Sequence, residues 1–213
     1  MRAISLLSVF ALALLLSGCA GAPEVSDEVS EEYSGQGLYV VKGTGFEQAY
    51  VSRTADLASY QSLIIAPLEL DNVDIPTTAM AGTLARDWRM DSERRSGLQK
   101  TWAAAMQRAF KGYVLDGKGG EELRVEAEII RIAPGMAAAN TIGMDTVPLG
   151  ATRDAIEIVA QFRLYDQQQD TLLAVVKDRR TIVSQQLSRT GSVNINTLFN
   201  TWASLLHTRV AGR

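Results

Sequence analysis

Two stretches of alternating apolar and polar residues constrain the fold most strongly. They are DAIEIVAQFRLYD (154–166) and TLLAVVKDRRTIV (171–183), separated by a short polar link. Successive side chains of a strand point to opposite faces, so the pair predicts a β-hairpin with one buried face. If Asp166 faces Asp170, Glu157 lies opposite Arg179 on the polar face. The apolar face then contains Ile158, Ala160, Phe162, Leu164, Leu172, Ala174 and Val176.

Two other segments have the apolar spacing of amphipathic helices. Asp91 or Ser92 is a candidate N-cap for the first and Gly112 its end, and Asn194 is a candidate N-cap for the second. The apolar residues of the first helix are Leu98, Trp102, Ala105, Met106, Ala109 and Phe110. Those of the second are Ile195, Leu198, Phe199, Trp202, Leu206 and Val210.

Shorter apolar runs predict three further strands, at 38–41, 63–70 and 123–132. Pro67 interrupts the second of these, which indicates a bent strand or one at the edge of the sheet. The sequence therefore predicts an α+β fold with two amphipathic helices packed on one face of a largely antiparallel sheet.

The N-terminus has the layout of a secretory signal. Arg2 is followed by a 13-residue apolar run from Ile4 to Leu16 and then by small residues up to Cys19. The run is too short for a permanent membrane span, which needs about 20 apolar residues. One alternative is an ordinary signal peptide with an unmodified thiol at Cys19. That alternative would leave a secreted protein with a single odd cysteine, which is anomalous.

Leu16-Ser17-Gly18-Cys19 resembles the lipobox of bacterial lipoproteins. The resemblance implies that the Cys19 thiol carries diacylglycerol, that residues 1–18 are removed, and that acyl chains such as palmitate anchor the chain to a membrane. Ala20 after the cysteine implies the outer membrane of a Gram-negative bacterium, with the protein facing the periplasm. Cys19 is thus the predicted lipidation site and the membrane is a predicted partner.

The segment after Cys19 is acidic. Residues 20–34, AGAPEVSDEVSEEYS, contain five acids, no base and no hydrophobic periodicity. We expect a solvated tether there, and the predicted organisation is a signal peptide (1–18), an anchored tether (19–36) and one α+β domain (37–213). The domain is expected to fold without residues 1–36.

The overall charge argues against nucleic acid as a partner. The chain has 21 Lys and Arg against 24 Asp and Glu, a formal net charge of −3. Binding to nucleic acid requires clustered cations that neutralise phosphates, and no such cluster occurs in the sequence.

Three diffuse motifs carry a family resemblance. They comprise Leu57, Tyr60, Leu63 and Pro67; Ile156-Glu157, Asp166 and Arg179-Arg180; and Phe199, Trp202, Ala203 and Leu206. Over roughly residues 40–213 the chain resembles a family of bacterial envelope lipoproteins with a domain of unknown function. Because these motifs are mostly apolar, the resemblance implies a fold more than an activity.

The sequence offers little for catalysis. His207, the only histidine, falls on the flank of the last predicted helix, which favours an exposed or rim position. KGTGFE at 42–47 lacks the length and the Lys-Ser/Thr ending of a phosphate-binding loop. Asp71 with Asp74 is interpreted as a solvated loop, and Glu126 with Glu128 as cross-strand ion-pair partners of nearby basic strands. We expect no catalytic residues, metal or cofactor.

Three functional hypotheses follow. The leading one is a non-catalytic accessory or binding subunit that docks on an envelope protein. The alternative is a carrier of lipid or another hydrophobic ligand, which would use the long connector of small and apolar residues at 133–154. A cell-wall hydrolase is the third and is disfavoured by the missing catalytic patterns.

Overall fold

The computed structural model describes residues 22–76, 90–115, 120–136, 154–183 and 191–212. In this part of the chain eight strands form one sheet in the order β1-β2-β3-β8-β7-β6-β4-β5. The strands are β1 (Glu24–Val29), β2 (Leu38–Lys42), β3 (Gln48–Ser52), β4 (Ser62–Ile65), β5 (Val114–Leu115), β6 (Glu122–Met136), β7 (Asp154–Asp166) and β8 (Thr171–Val183). The helices are α1 (Ser92–Ala109) and α2 (Gly191–Val210), with short 3₁₀ turns at Ser34–Gln36 and Leu57–Ser59.

The sheet is mixed, so the prediction of a largely antiparallel sheet is wrong. Strand β4 pairs in parallel with both β5 and β6, whereas the β1–β2, β2–β3, β3–β8, β6–β7 and β7–β8 pairings are antiparallel. The reason is α1, which lies between β4 and β5 in the chain. A helical crossover carries the chain back to the end of the sheet at which β4 began, so the next strand runs in the same direction.

Both helices cover the face of the sheet that bears Phe162. Its ring stacks on Trp102 of α1 at 5.4 Å and meets Trp202 of α2 edge-on at 5.5 Å. Asp91 caps α1 as predicted, since its side chain accepts a hydrogen bond from the Arg94 backbone N–H at 2.8 Å. The predicted cap Asn194 is wrong because α2 already begins at Gly191, and α1 ends at Ala109, three residues before Gly112.

The hairpin of β7 and β8 is present, but its predicted register is wrong. Phe162 lies opposite Val176 and Glu157 opposite Thr181 instead of Arg179. A four-residue turn separates Asp166 from Thr171, and the register shifts again between Leu164 and Tyr165. As a result Leu173, rather than the predicted Leu172, joins the core beside Ala174 and Val176.

The β6–β7 pairing is longer than predicted. It extends to Met136 opposite Asp154, so residues 133–136 belong to a strand and not to the predicted connector. Residues 137–153 of that connector lie outside the described residues, as do Cys19 and Trp88.

The predicted tether is also wrong from residue 24 onward. Residues Glu24–Val29 form edge strand β1, which pairs with β2. The following loop lies on the sheet, where Tyr33 contacts Tyr50 with ring centroids 5.3 Å apart and Glu32 pairs with Lys177 at 2.6 Å. An edge strand pairs on one side only and keeps its charged side chains in water. The low hydrophobicity of residues 24–29 is therefore compatible with their forming β1. No helix in the described ranges is long and apolar enough to cross a membrane.

Candidate functional site

The face of the sheet opposite the helices, here called the open face, carries a ladder of charged side chains on β6, β7 and β8. Arg163 pairs with Glu128 of the neighbouring strand at 3.0 Å, and Arg124 with Glu126 of its own strand at 3.0 Å. The predicted cross-strand ion pair is thus confirmed for Glu128, whereas the partner of Glu126 lies on the same strand. Arg179 and Glu157, predicted to share this face, form a diagonal ion pair at 3.7 Å.

Tyrosines lie among these charges. The Arg124 guanidinium sits over the Tyr165 ring, 4.6 Å from its centre, and the Lys177 ammonium lies 5.6 Å from the Tyr33 ring centre. Partial burial raises the pKa of the Tyr165 phenol, and burial followed by a hydrogen bond to Glu32 raises the pKa of Tyr33. Both phenols therefore remain neutral donors at neutral pH. Tyrosine and arginine, both present on the open face, are residue types that are enriched at protein interfaces, whereas the glutamates and the lysine beside them are not.

The other sequence candidates are engaged elsewhere. Asp71 pairs with Arg95 at 2.5 Å and Asp74 with Arg131 at 2.7 Å, so the two carboxylates serve different partners. His207 is half-buried, and its ring centre lies 5.1 Å from that of Phe110. The predicted rim position of His207 is confirmed. Within the described ranges, no group of three or more His, Cys, Asp or Glu side chains has a spacing suited to a metal ion.

A buried carboxylate that the sequence analysis missed lies at Asp178, which is 2 % exposed. Its Oδ2 accepts hydrogen bonds from Trp202 Nε1 at 2.7 Å and Arg180 Nε at 2.6 Å, and its Oδ1 accepts one from the Glu47 backbone N–H at 3.0 Å. These contacts fasten the β2–β3 loop to β8 and α2. The strand period could have predicted this burial. Asp178 lies two residues after Val176, so both side chains point to the apolar face of β8.

Two residues of the family motifs meet across the fold. The Tyr60 hydroxyl donates a hydrogen bond to Asp166 Oδ2 at 2.7 Å, while Asp166 Oδ1 accepts from the backbone N–H groups of Gln168 and Gln169 at 2.9 and 2.8 Å. The hydrogen bonds from Gln169 and then Tyr60 lower the pKa of Asp166. A carboxyl whose pKa falls on folding stabilises the fold above its unfolded pKa, and this contribution is lost as the pH drops through the folded value.

The remaining motif residues are mainly structural. Leu63, Phe199, Trp202, Ala203 and Leu206 are each at most 2 % exposed. The motif residues of the resemblance therefore belong mainly to the core and to the joint between Tyr60 and the β7–β8 turn.

No family model matches the chain, and no curated protein matches it. Among solved structures, a PelC dodecamer from Paraburkholderia phytofirmans is 11 % identical, with a TM-score of 0.39, and the match covers 74 % of this chain and 96 % of that one. A minor lipoprotein from Acinetobacter baumannii is 10 % identical, with a TM-score of 0.34 and coverage of 71 % and 93 %.

A protein from Xanthomonas campestris, assigned to a family of unknown function, is 11 % identical with a TM-score of 0.36 and coverage of 75 % and 86 %. The similar structures thus include a lipoprotein and a member of a family of unknown function. All three TM-scores are below 0.5, so the likeness supports no inference about what this chain binds.

Proposed function

We propose that the chain is an outer-membrane lipoprotein, anchored through lipid on Cys19, that acts as a non-catalytic accessory or binding subunit of an envelope complex. One observation supports the protein-binding role. The open face presents arginines, glutamates and tyrosines on three adjacent long strands, and α1 and α2 pack against Phe162 on the opposite face. Surfaces of this composition bind complementary protein surfaces and gain specificity from their charges.

The anchor would hold this surface near the membrane. Four residues lie between Cys19 and Glu24, where β1 begins, and the five residue steps from Cys19 to Glu24 span about 17 Å when extended. The sheet is therefore tied closely to the bilayer, with β1 as its nearest strand in the chain. This arrangement suits a partner that is itself in or on the envelope.

The anchor is tested by Cys19→Ser. A thioether to diacylglycerol cannot form on a hydroxyl, so this variant should retain residues 1–18 and take up no radioactive fatty acid during metabolic labelling. A Ser17→Ala variant, which keeps the thiol, serves as the control and should be labelled. Label retained on the Cys19→Ser variant would contradict the anchor.

The docking surface is tested by cross-linking intact cells and purifying the anchored protein. Arg163→Glu combined with Arg179→Glu reverses charge on the open face, whereas Lys111→Glu reverses an exposed charge just after α1. We expect a stoichiometric envelope protein with the wild type and with Lys111→Glu, and roughly tenfold less with the open-face variant because like charges then face each other. Equal recovery with both variants would contradict docking at the open face.

A further inference from the structure

Two exposed valines lie on the edge strand β1. Val25 is 45 % exposed and Val29 is 43 % exposed. Among the described residues, Val114 of β5 is the one other large apolar side chain with a comparable exposure, 48 %, and it lies at the opposite end of the sheet. Single exposed apolar residues are ordinary on a protein surface, whereas contiguous apolar patches mark interaction sites. The surroundings of the two valines on β1 therefore decide whether they form such a site.

Both valines point to the face of the sheet that the helices cover. Val25 lies opposite Val41, which packs against the core on that face, and Val29 lies opposite Tyr39, two residues before Val41. Tyr39 is half-buried, and the Arg53 guanidinium sits over its ring, 4.1 Å from the centre. Val25, Val29 and Tyr39 thus form one apolar patch, here called the β1 patch, with an arginine at its border. Tyrosine and arginine side chains combine an apolar body with a polar end, as an interface between hydrocarbon and water requires.

A groove of about 580 Å³ runs beside the β1 patch, between β1, the end of β3 and the C-terminal end of α2. Its described lining includes two guanidinium groups, Arg53 and Arg209, and two carboxylates, Asp27 and Asp56, so these four charges cancel. Arg53 also pairs directly with Asp27. The described lining thus has no surplus cation for an anionic surface. It is complementary instead to a surface of zwitterionic phospholipid, whose phosphate and amine carry opposite charges.

The chain before β1 brings this patch to the membrane anchor. Six residue steps join Cys19 to Val25, and they reach about 20 Å when fully extended. Strand β5 is the last of the eight strands counted from β1, and seven strand spacings place it roughly 33 Å farther away. With lipid on Cys19, the β1 patch is therefore held at the bilayer, whereas the equally exposed Val114 is not.

The structure of β1 argues against an added strand as the occupant. The register of β1 against β2 shifts between Val25 and Val29, and such irregularities at an edge disfavour further pairing. Glu24 and Glu28 are exposed on the same strand. Pairing with β1 of a second copy would place like charges across the two strands, which is destabilising. A surface that contacts side chains and needs no backbone hydrogen bonds suits β1 better.

We propose that the β1 patch lies on the surface of a zwitterionic phospholipid bilayer. Its valine side chains and the Tyr39 ring lie among the headgroups, at the depth where amphipathic side chains are favoured. This contact rests on the proposed anchor at Cys19 and deepens it, because it orients the domain. A bilayer on the helix side of β1 turns the open face away from the membrane, toward a partner that projects from the envelope.

The test uses the full anchored chain in phosphatidylcholine nanodiscs. Cys19 is the only cysteine of the chain and its sulphur carries the lipid, so an introduced cysteine is the single free thiol. Val25→Cys, Val29→Cys and Val114→Cys each receive an environment-sensitive fluorophore, and the nanodiscs contain a lipid with a nitroxide quencher on its headgroup. Labels at 25 and 29 should shift to shorter wavelength and lose most of their emission. The label at 114, a valine of equal exposure at the other edge, should show neither change.

Two further variants test the chemistry of the contact. Val29→Asp places a charge in the patch and should restore the emission of the label at 25, whereas Val114→Asp should leave that label quenched. Exchanging phosphatidylcholine for anionic phosphatidylglycerol should reduce the quenching, because Glu24 and Glu28 are repelled. Circular dichroism verifies that each variant is folded. Quenching that survives Val29→Asp, or that increases on the anionic lipid, would overturn the proposed contact.

Failure of the contact and failure of the anchor give different results. A chain that remains with the nanodisc but is unquenched at 25 and 29, or is quenched equally at 25 and 114, overturns the contact alone. A chain that does not remain with the nanodisc overturns the anchor at Cys19 and the contact with it. Cross-linking of the envelope partner at the open face is a separate measurement from both.

Discussion

The two faces of the sheet are built from the same strands but have opposite surroundings. Phe162 and Arg163 are neighbours in β7, yet Phe162 is 1 % exposed between two tryptophans, whereas Arg163 pairs with Glu128 at the half-exposed open face. Burial of large apolar side chains contributes several kcal/mol each, whereas exposed ion pairs contribute about 0–1 kcal/mol. The helix-covered face should therefore contribute most of the stability, and the charge ladder of the open face little.

The largest effect should come from the covered face. Trp202→Ala and Trp102→Ala should each lower the free energy of unfolding by roughly 3–5 kcal/mol, because each removes a fully buried ring. Trp202→Ala should be the more damaging, since it also leaves the buried Asp178 without its indole donor. Urea denaturation measures both. Losses below about 1 kcal/mol would show that the covered face does not dominate stability.

A smaller effect should come from the N-terminal segment that crosses the open face. A chain that begins at Leu38 loses β1 and the contact of Tyr33 with Tyr50, and it uncovers Leu38, which is fully buried. We expect a loss of roughly 2–4 kcal/mol relative to a chain that begins at Glu24. Thermal melts measure the transition temperatures of the two chains. Equal transition temperatures would show that residues 24–37 add nothing to stability, as expected of a tether.

The smallest effect should come from the charge ladder. In a double-mutant cycle, Arg163→Met and Glu128→Gln should show a coupling free energy of about 0–1 kcal/mol, because both side chains are partly solvated. Urea denaturation of the wild type, both single variants and the double variant gives this value. A coupling above about 2 kcal/mol would mean that the open face helps to hold the fold and is not simply a surface.

Some parts of the candidate sites follow from local patterns. Alternation in the hairpin identified Glu157 and Arg179 as residues of the open face, and helical spacing placed Trp102 and Trp202 inside and His207 at the rim. The unpaired Trp102 N–H could not be predicted, because Trp202 has the same residue type and the same helical periodicity. The tertiary structure decides the difference: it places Asp178 of β8 beside the Trp202 indole as an acceptor and, among the described residues, places no acceptor beside the Trp102 indole.

What the sequence determines by itself is therefore periodic and local: the two helices and the β7–β8 hairpin, which side of each is apolar, and a start of α1 capped by Asp91 or Ser92. Tertiary structure decides the parallel direction of β4, the register that brings Leu173 into the core, the inclusion of β1 in the sheet and the burial of Asp178. The physical reason is that a side chain's direction depends on backbone repeat alone. Strand partner, strand direction and register depend on segments far away in the chain, which compete for the same hydrogen bonds and the same apolar surface.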